Sequence, residues 1–295
     1  MTPAISVLLP VYNGQAYLKQ AIDSILNQSF PDFELIIVND GSTDSSLDLI
    51  SSYVDKRIVL ITQENMGLPS ALNRAINAAR GEYLARHDQD DVSLPTRFEE
   101  QLGLMEAAHL DFCGCNIVMM TGSGKPTQEL AMPTAPDLIT ITLACTVPFA
   151  HGSVMMRKAF LDQYALSYKK GSSTEDYELW CEAYHLGAQF GNVNQALFHY
   201  RDFSSSLSKL AAKKMQSYTH RLRRRFVKIN TLAVTEAIDR LLPEQNQLGP
   251  RFEGFLILAA YLLSRQNHST AILKVCSRAS IKNIAIAVAK IIRGF

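Results

Sequence analysis

Residues 4–9 form a short continuous apolar run, as in a parallel strand covered on both faces. Leu18, Ala21, Ile22, Ile25 and Leu26 then recur at helical spacing, and Pro31 closes that segment. Residues 33–38 predict a second strand running into the turn residues Asn39-Asp40-Gly41-Ser42. Thr43 is placed to cap a helix that reaches about residue 53. Residues 58–61 predict a third strand, and Leu68, Ala71, Leu72, Ala75 and Ile76 mark a third helix that stops before Gly81. A fourth strand, residues 82–86, delivers Asp88-Gln89-Asp90-Asp91 at its carboxyl end.

Strand and helix alternating with short connections predict an α/β fold, with a mainly parallel, Rossmann-like sheet and helices on both faces. Ligands of such sheets sit outside the carboxyl ends of the strands. Three polar clusters fall at those ends: Tyr12-Asn13-Gly14, Asn39-Asp40-Gly41 and residues 88–91. Their convergence predicts one composite site. From about residue 111 to 199 the pattern is mixed, with shorter strands and a helix near 175–186. Residues 209–295 read as helices throughout, so the expected division is a domain over 1–208 and a helical C-terminal region over 209–295.

The formal net charge of +1 hides an asymmetry: residues 1–208 carry a net −11 and residues 209–295 a net +12. A basic tail on an acidic body suits an anionic partner, phospholipid or nucleic acid, or neutralises the body across an interface. The basic run Arg221-Leu222-Arg223-Arg224-Arg225 has no interleaved aromatics or recognisable reading motif, which argues against nucleic acid. Residues 281–295 set Ile284, Ile286, Val288, Ile291 and Ile292 among Lys282, Lys290 and Arg293, which suits an anionic membrane surface. A helix packed on the body or on a second subunit would look the same.

Five cysteines, including Cys113 and Cys115 on a strand-like segment, lack disulfide-framework spacing. The apolar run near the N-terminus has no basic region before it and meets Pro10, unlike a signal peptide. The longest apolar stretch, residues 255–263, is too short to span a bilayer. The expected location is the cytoplasm, with peripheral attachment to the inner face of the cell membrane as an extension.

Three carboxylates within residues 88–91 repel one another, and a divalent metal carrying a diphosphate is the best relief; a solvated acidic turn is the plainer reading. There is no Gly-x-Gly-x-x-Gly after the first strand and no P-loop motif, which argues against a dinucleotide dehydrogenase or a P-loop NTPase.

Pro10-Val11-Tyr12-Asn13, Asn39-Asp40-Gly41-Ser42, Asn65-Met66-Gly67, Arg86-His87-Asp88-Gln89-Asp90-Asp91 and Thr174-Glu175-Asp176 resemble, in order and spacing, the signatures of family 2 glycosyltransferases. Pro95, Arg97, Gln101, residues 151–155 and Tyr200-Arg201 extend the resemblance over roughly residues 4–208. It implies the GT-A fold and inverting, non-processive transfer of a sugar from a nucleotide-sugar donor to a glycan or lipid-linked acceptor. The commonest members further suggest bacterial surface polysaccharide assembly. Tyr12, beside Pro10, resembles the residue that packs on the nucleotide base. Asp40 resembles the carboxylate that accepts uracil N3–H, which favours UDP, although thymine presents the same N–H and Asp40 also suits a turn.

Asn65 and Gly67 stand where backbone approaches the nucleotide, or where a helix begins. The resemblance puts Asp88 near the ribose and Asp90, supported by Asp91, on Mn²⁺ or Mg²⁺. Arg86 is read as orienting those carboxylates or touching the diphosphate, or as a structural ion pair. Asp176 is the expected general base, with Glu175 beside it holding the acceptor or modulating the base, at what also reads as a helix start capped by Thr174. His151 is expected near a sugar, or is a structural histidine. One departure is Phe203, where many relatives carry a metal-ligand histidine; His199 is the nearby substitute. The alternative function is a catalytically degenerate protein that binds a nucleotide sugar or a partner.

Overall fold

Every residue of β1 (Ile5–Val11) and β2 (Phe33–Asp40) is buried, including the polar Ser6, Glu34, Asn39 and Asp40 among otherwise apolar side chains. The computed structural model describes residues 2–172, 174–202 and 212–265, together with Ala271, Val275 and Cys276. The segment 281–295 and Phe203, both singled out above, lie outside the described residues.

The chain divides into two compact units. The first comprises Met1–Met132, Phe149–Glu175 and Ala188–Ser206. Its strands continue with β3 (Ile58–Gln63), β4 (Tyr83–Arg86), β5 (Val92–Ser93), β6 (Phe112–Met120), β7 (Pro126–Leu130), β8 (Met155–Arg157) and β9 (Phe190–Arg201). They form one sheet in the order β3-β2-β1-β4-β8-β6-β9-β5, with β7 paired to β6. The first four are parallel, as the alternating pattern predicts, and β8 then runs antiparallel to both β4 and β6.

Helices α1 (Leu18–Leu26), α2 (Ser46–Ser51), α3 (Leu68–Ala78), α4 (Arg97–Ala107) and α6 (Lys158–Gln163) belong to this unit, with α5 (Pro136–Leu143) and α7 (Glu175–His185) interleaved in the chain. Ile5, Val7, Leu9 and Val11 share a core with Ile22 and Ile25 of α1 and Phe98, Leu102 and Met105 of α4. The period-2 pleat turns Leu8, Ile36 and Val38 to the other face, where α3 packs on β1 and β2. Pro10 falls inside β1, but pairing with β4 stops at Leu8 and Arg86. Leu8 faces β4, its carbonyl accepting from the His87 amide, and Pro10 two residues on faces the same way beyond the end of that strand. Its missing N–H therefore removes no ladder bond.

Thr43 does not cap α2; Ser45 occupies the cap position. The Thr43 backbone N–H instead donates to Asn13 Oδ1 at 2.8 Å, so the residue ties the loop after β2 to the loop after β1.

The second unit comprises Pro133–Pro148, Asp176–Gly187 and Leu207–Phe295. Its described C-terminal helices are α8 (Ala212–Ile229), α9 (Thr231–Leu241) and α10 (Pro250–Ser264). Helix α5 packs on α9 and α10, and Arg240 of α9 pairs with Asp137 of α5 at 2.9 Å. No described helix is long and apolar enough to cross a membrane.

Glu34, buried on β2, accepts from Ser6 Oγ at 2.7 Å, the Arg80 amide at 2.8 Å and the Arg80 guanidinium at 2.6 Å. Burial works to raise its pKa, but these donors outweigh it and hold the carboxyl below its ordinary value. A depressed folded-state pKa stabilises the fold above the unfolded value, and that stability is lost as pH falls through the folded one. Glu34→Gln is therefore expected to cost about 1.5–3 kcal/mol at pH 7 by urea denaturation, the range for hydrogen bonds to a charged group. The gap between variant and wild type should close as pH falls below about 4. An equal gap at pH 3 and pH 7 would contradict this account of the carboxylate.

Candidate functional site

The carboxyl ends of β1, β2, β3 and β4 carry loops that bond to one another. Asp40 ends β2 and is buried. Its Oδ1 accepts from Gln63 Nε2 at 2.7 Å and the Met66 amide at 2.9 Å, and its Oδ2 from the Gly67 amide at 2.8 Å. The loop carrying Asn65 is thus wrapped around the Asp40 carboxylate. Gly41 permits the approach: at φ 72°, a Cβ there would lie 2.7 Å from the Asn65 nitrogen. Gly67, at φ 83°, precedes α3 and accepts from the Ser70 and Ala71 amides.

The loop after β1 is fixed from two sides. Toward β2, the Asn13 amide donates to Ser42 Oγ at 3.1 Å and the Gly14 amide to Ser46 Oγ at 2.9 Å. Toward β4, Gln89 Oε1 accepts from the Tyr12 amide at 2.9 Å while Gln89 Nε2 donates to the Tyr12 carbonyl at 3.1 Å. Tyr12 remains 47% exposed.

The acidic turn rests on two buried arginines. Arg86 forms an ion pair with Asp88, and its buried Nε and Nη2 make no hydrogen bond among the described residues. Burial disfavours its charge, but Asp88 outweighs burial and keeps it above its ordinary pKa. Arg97 donates from Nη2 to the Arg86 carbonyl at 2.8 Å, from Nε to Gln101 Oε1 at 2.9 Å and from Nη1 to Ser93 Oγ at 2.9 Å. Gln101 in turn donates to the carbonyls of Cys113 and Ser153, each at 2.8 Å.

Arg201, at the end of β9, closes the turn from the other side. Its amide donates to Asp91 Oδ1 at 2.7 Å and its Nε to the Asp90 carbonyl at 2.7 Å. Its Nη2 reaches Gln20 Oε1 at 2.7 Å, and its guanidinium lies 4.3 Å from the Tyr17 ring centroid.

Compensation among the three carboxylates is unequal. Asp88 has Arg86. Burial, then the Asp88 charge, pushes Asp90 up to about 6. Burial, followed by Asp88 and Asp90, pushes Asp91 well above its ordinary value, and its buried Oδ2 lacks a partner among the described residues. The buried, unpartnered Asp91 Oδ2 beside two further carboxylates is a set of hard oxygen donors that fits a divalent cation. Among the described residues no three His, Cys, Asp or Glu side chains form a metal cage. A cation here would take one or two of these carboxylates and complete its shell from phosphate and water.

Gly152 brings the 151–153 segment against this turn: a Cβ on it would lie 2.6 Å from Asp88 Oδ2 and 3.0 Å from Asp91 Oδ2. His151 Nε2 lies 3.1 Å from the Tyr168 hydroxyl, and burial with the nearby Arg86 charge holds its pKa well below the usual histidine value. Tyr168 is itself pinned through its backbone by Asn73, at 2.8 and 2.9 Å. His199 and Tyr200 are neighbours on a pleated strand and face opposite ways. Burial and then all three aspartates raise the Tyr200 pKa, whereas only burial lowers that of His199. Phe198, two residues before Tyr200 and on its face of the strand, stands with Asp88 and Asp91 around Gly152, so the Tyr200 face and not the His199 face is turned to the acidic turn.

Pro10, Tyr12, Asp40, Asn65, Gly67, Arg86, Asp88, Asp90, Asp91 and His151 all belong to the first compact unit, which ends one segment at Glu175. Asp176 belongs to the second, at the start of α7, where its Oδ1 accepts from the Tyr177 amide at 2.7 Å. The Thr174 hydroxyl, expected as a helix cap, makes no hydrogen bond among the described residues. Gln89 and Tyr168 were not anticipated from sequence. Gln89 reads there as the spacer between two aspartates, and nothing local marks Tyr168.

The model of Glycosyl transferase family 2 matches residues 6–164. The O-antigen biosynthesis glycosyltransferase WbnJ of Escherichia coli is 33% identical over 233 residues, covering 77% of this chain and 91% of WbnJ. EpsE of Bacillus subtilis (strain 168), a glycosyltransferase by name, is 31% identical over 247 residues, covering 81% of this chain and 83% of EpsE. Among solved structures, S. aureus TarS 1–349 in complex with UDP superposes with a TM-score of 0.62 at 18% identity, covering 99% of this chain and 92% of that 1–349 chain. The mannosyltransferase PcManGT of Pyrobaculum calidifontis, in complex with GDP-Man and Mn²⁺, gives 0.57 at 13% identity, covering 98% and 87%. The chain belongs to glycosyl transferase family 2 and is a glycosyltransferase with the GT-A fold.

Proposed function

We propose that the protein transfers a single sugar, with inversion, from a UDP-sugar to a hydroxyl of a growing glycan or lipid-linked acceptor in bacterial surface polysaccharide assembly. The observation that carries the donor assignment is the state of Asp40. Each carboxylate oxygen accepts about two hydrogen bonds. Its Oδ1 takes two from the 63–67 loop and its Oδ2 only one, so one acceptor position remains for a base N–H such as uracil N3–H. The ring of the half-exposed Tyr12 is available to stack on that base. TarS, a neighbour in fold, binds UDP, which supports the same choice.

Asp88 is the proposed ribose contact, with Arg86 holding its charge. Asp90, with Asp91, is the proposed seat of Mn²⁺ or Mg²⁺. A bound cation there would neutralise negative charge growing on the departing diphosphate. Asp176 is the proposed base: it takes the acceptor hydroxyl proton as oxygen bonds to the anomeric carbon and the bond from that carbon to the diphosphate breaks. Such proton transfer contributes roughly 10²–10⁴ in rate. Glu175 is assigned to the acceptor and His151 to a bound sugar. The second reading is nucleotide-sugar binding without turnover, and it rests on Phe203 standing where many relatives carry a metal-ligand histidine.

The basic C-terminal region is proposed to meet an anionic membrane surface. On α8, Arg221, Arg225 and Lys228 are exposed at helical spacing, and Ile229 (44% exposed) at its end and Leu232 (71%) at the start of α9 add exposed apolar surface.

Calorimetric titration of UDP, dTDP and GDP, with and without Mn²⁺, tests the donor reading. Metal-dependent binding of UDP or dTDP is expected, weakened about tenfold or more by Asp40→Asn, while Asp90→Ala removes the metal dependence. No binding of any nucleotide would sink it, and binding without turnover across donors and acceptors would favour the second reading. Vesicle co-sedimentation tests the membrane reading. The protein should bind vesicles containing phosphatidylglycerol but not pure phosphatidylcholine, with affinity falling as salt rises. Reversing Arg221, Arg225 and Lys228 to Glu should weaken binding at least tenfold, at about 1 kcal/mol per cation. Equal binding to neutral vesicles would refute it.

A further inference from the structure

Resting on the nucleotide reading of this site, we propose that Gln89 is a positioning residue: its side-chain amide clasps the Tyr12 backbone and sets the base-stacking ring in register with the acidic turn. The amide meets Tyr12 in both directions, accepting from its N–H at 2.9 Å and donating to its C=O at 3.1 Å, across 77 positions of chain. With both backbone groups engaged, the ring is the part of Tyr12 left to meet a ligand. Gln89 lies between Asp88 and Asp90, the proposed contacts to ribose and cation. A displacement of that turn is therefore transmitted to the ring through one side chain.

Gly14 makes room for the clasp. A Cβ on it would stand 2.6 Å from Gln89 Oε1 and 2.9 Å from Gln89 Cδ, so any larger residue pushes the amide off Tyr12. On its opposite side the loop is already held by Ser42, Thr43 and Ser46. Losing the clasp should thus free the Tyr12 peptide without unravelling the loop. A binding-competent loop populated a tenth of the time weakens apparent affinity tenfold.

Two measurements on the full chain decide the matter. The first needs no ligand: amide hydrogen exchange at Tyr12 should be protected in the wild type and fast in Gln89→Ala, with β1 amides unchanged. The second is titration with UDP and, separately, with pyrophosphate, both with Mn²⁺. Gln89→Ala and Gly14→Ala should each weaken UDP about tenfold while changing pyrophosphate less than twofold, and a merely structural defect would weaken both alike. In Gln89→Ala the obstruction met by a Cβ at position 14 is gone, so the double variant should bind UDP no worse than either single one. Unchanged Tyr12 exchange, unchanged UDP affinity in Gln89→Ala, or additive losses in the double variant would each overturn the clasp. A wild type that binds no nucleoside diphosphate would overturn the nucleotide reading along with it, whereas wild-type binding unaffected by Gln89→Ala overturns the clasp alone.

Discussion

Three aspartates within a four-residue turn, with one buried arginine paired to only the first of them, is the constraint around which the rest of this polar surface is arranged. Packing carboxylates together at the end of a buried strand raises the cost of ionising each further one. The effect is visible in Asp90 and Asp91, both driven upward by burial and by the aspartates beside them. Such a turn keeps its shape only if backbone and neighbouring side chains hold it. Arg97 and Gln101 supply that support from beneath, through the Arg86, Cys113 and Ser153 carbonyls. Arg201 supplies it from the far end of β9. The arginines do different work: Arg86 balances charge, Arg97 ties the Arg86 carbonyl to the Ser93 and Gln101 side chains, and Arg201 mainly holds backbone carbonyls.

The same constraint explains two glycines. Gly152 lets the segment bearing His151 close against Asp88 and Asp91, and Gly14 lets Gln89 reach Tyr12. Neither has a positive φ, so each is needed for close approach rather than for an unusual turn. Gly41 serves both ends, with φ at 72° and a clash with the Asn65 backbone waiting for any side chain. The loops after β1, β2, β3 and β4 are thereby packed into one polar surface at the carboxyl edge of the parallel strands.

The parallel half of the sheet was legible because each strand is a short apolar run and each helix repeats every three or four residues. β1 to β4 and α1 to α3 follow that rule, and the convergence of their carboxyl ends followed from it. The remainder of the sheet was not, since β6 and β9 pair across a chain separation that leaves no local trace, with bulges in their register. The acidic turn itself stood out by its charge, but what holds it did not. Arg201 and Asp91 are 110 residues apart, and Gln89 owes its role to a partner 77 residues away. The choice between His199 and Tyr200 needed the pleat, because adjacent residues on a strand face opposite sides. Thr43 carried a capping signal that a long-range bond to Asn13 overrode.

The central claim is that the clustered carboxylates of this turn are the seat of a cation carrying the donor's diphosphate. Anomalous scattering from Mn²⁺ in crystals grown with UDP tests it most directly. The account predicts a single strong peak touching the Asp90 carboxylate, with the UDP diphosphate on the same ion and the uracil ring against Tyr12. UDP bound there with no peak at Asp90, or Mn²⁺ bound away from the turn, would contradict it.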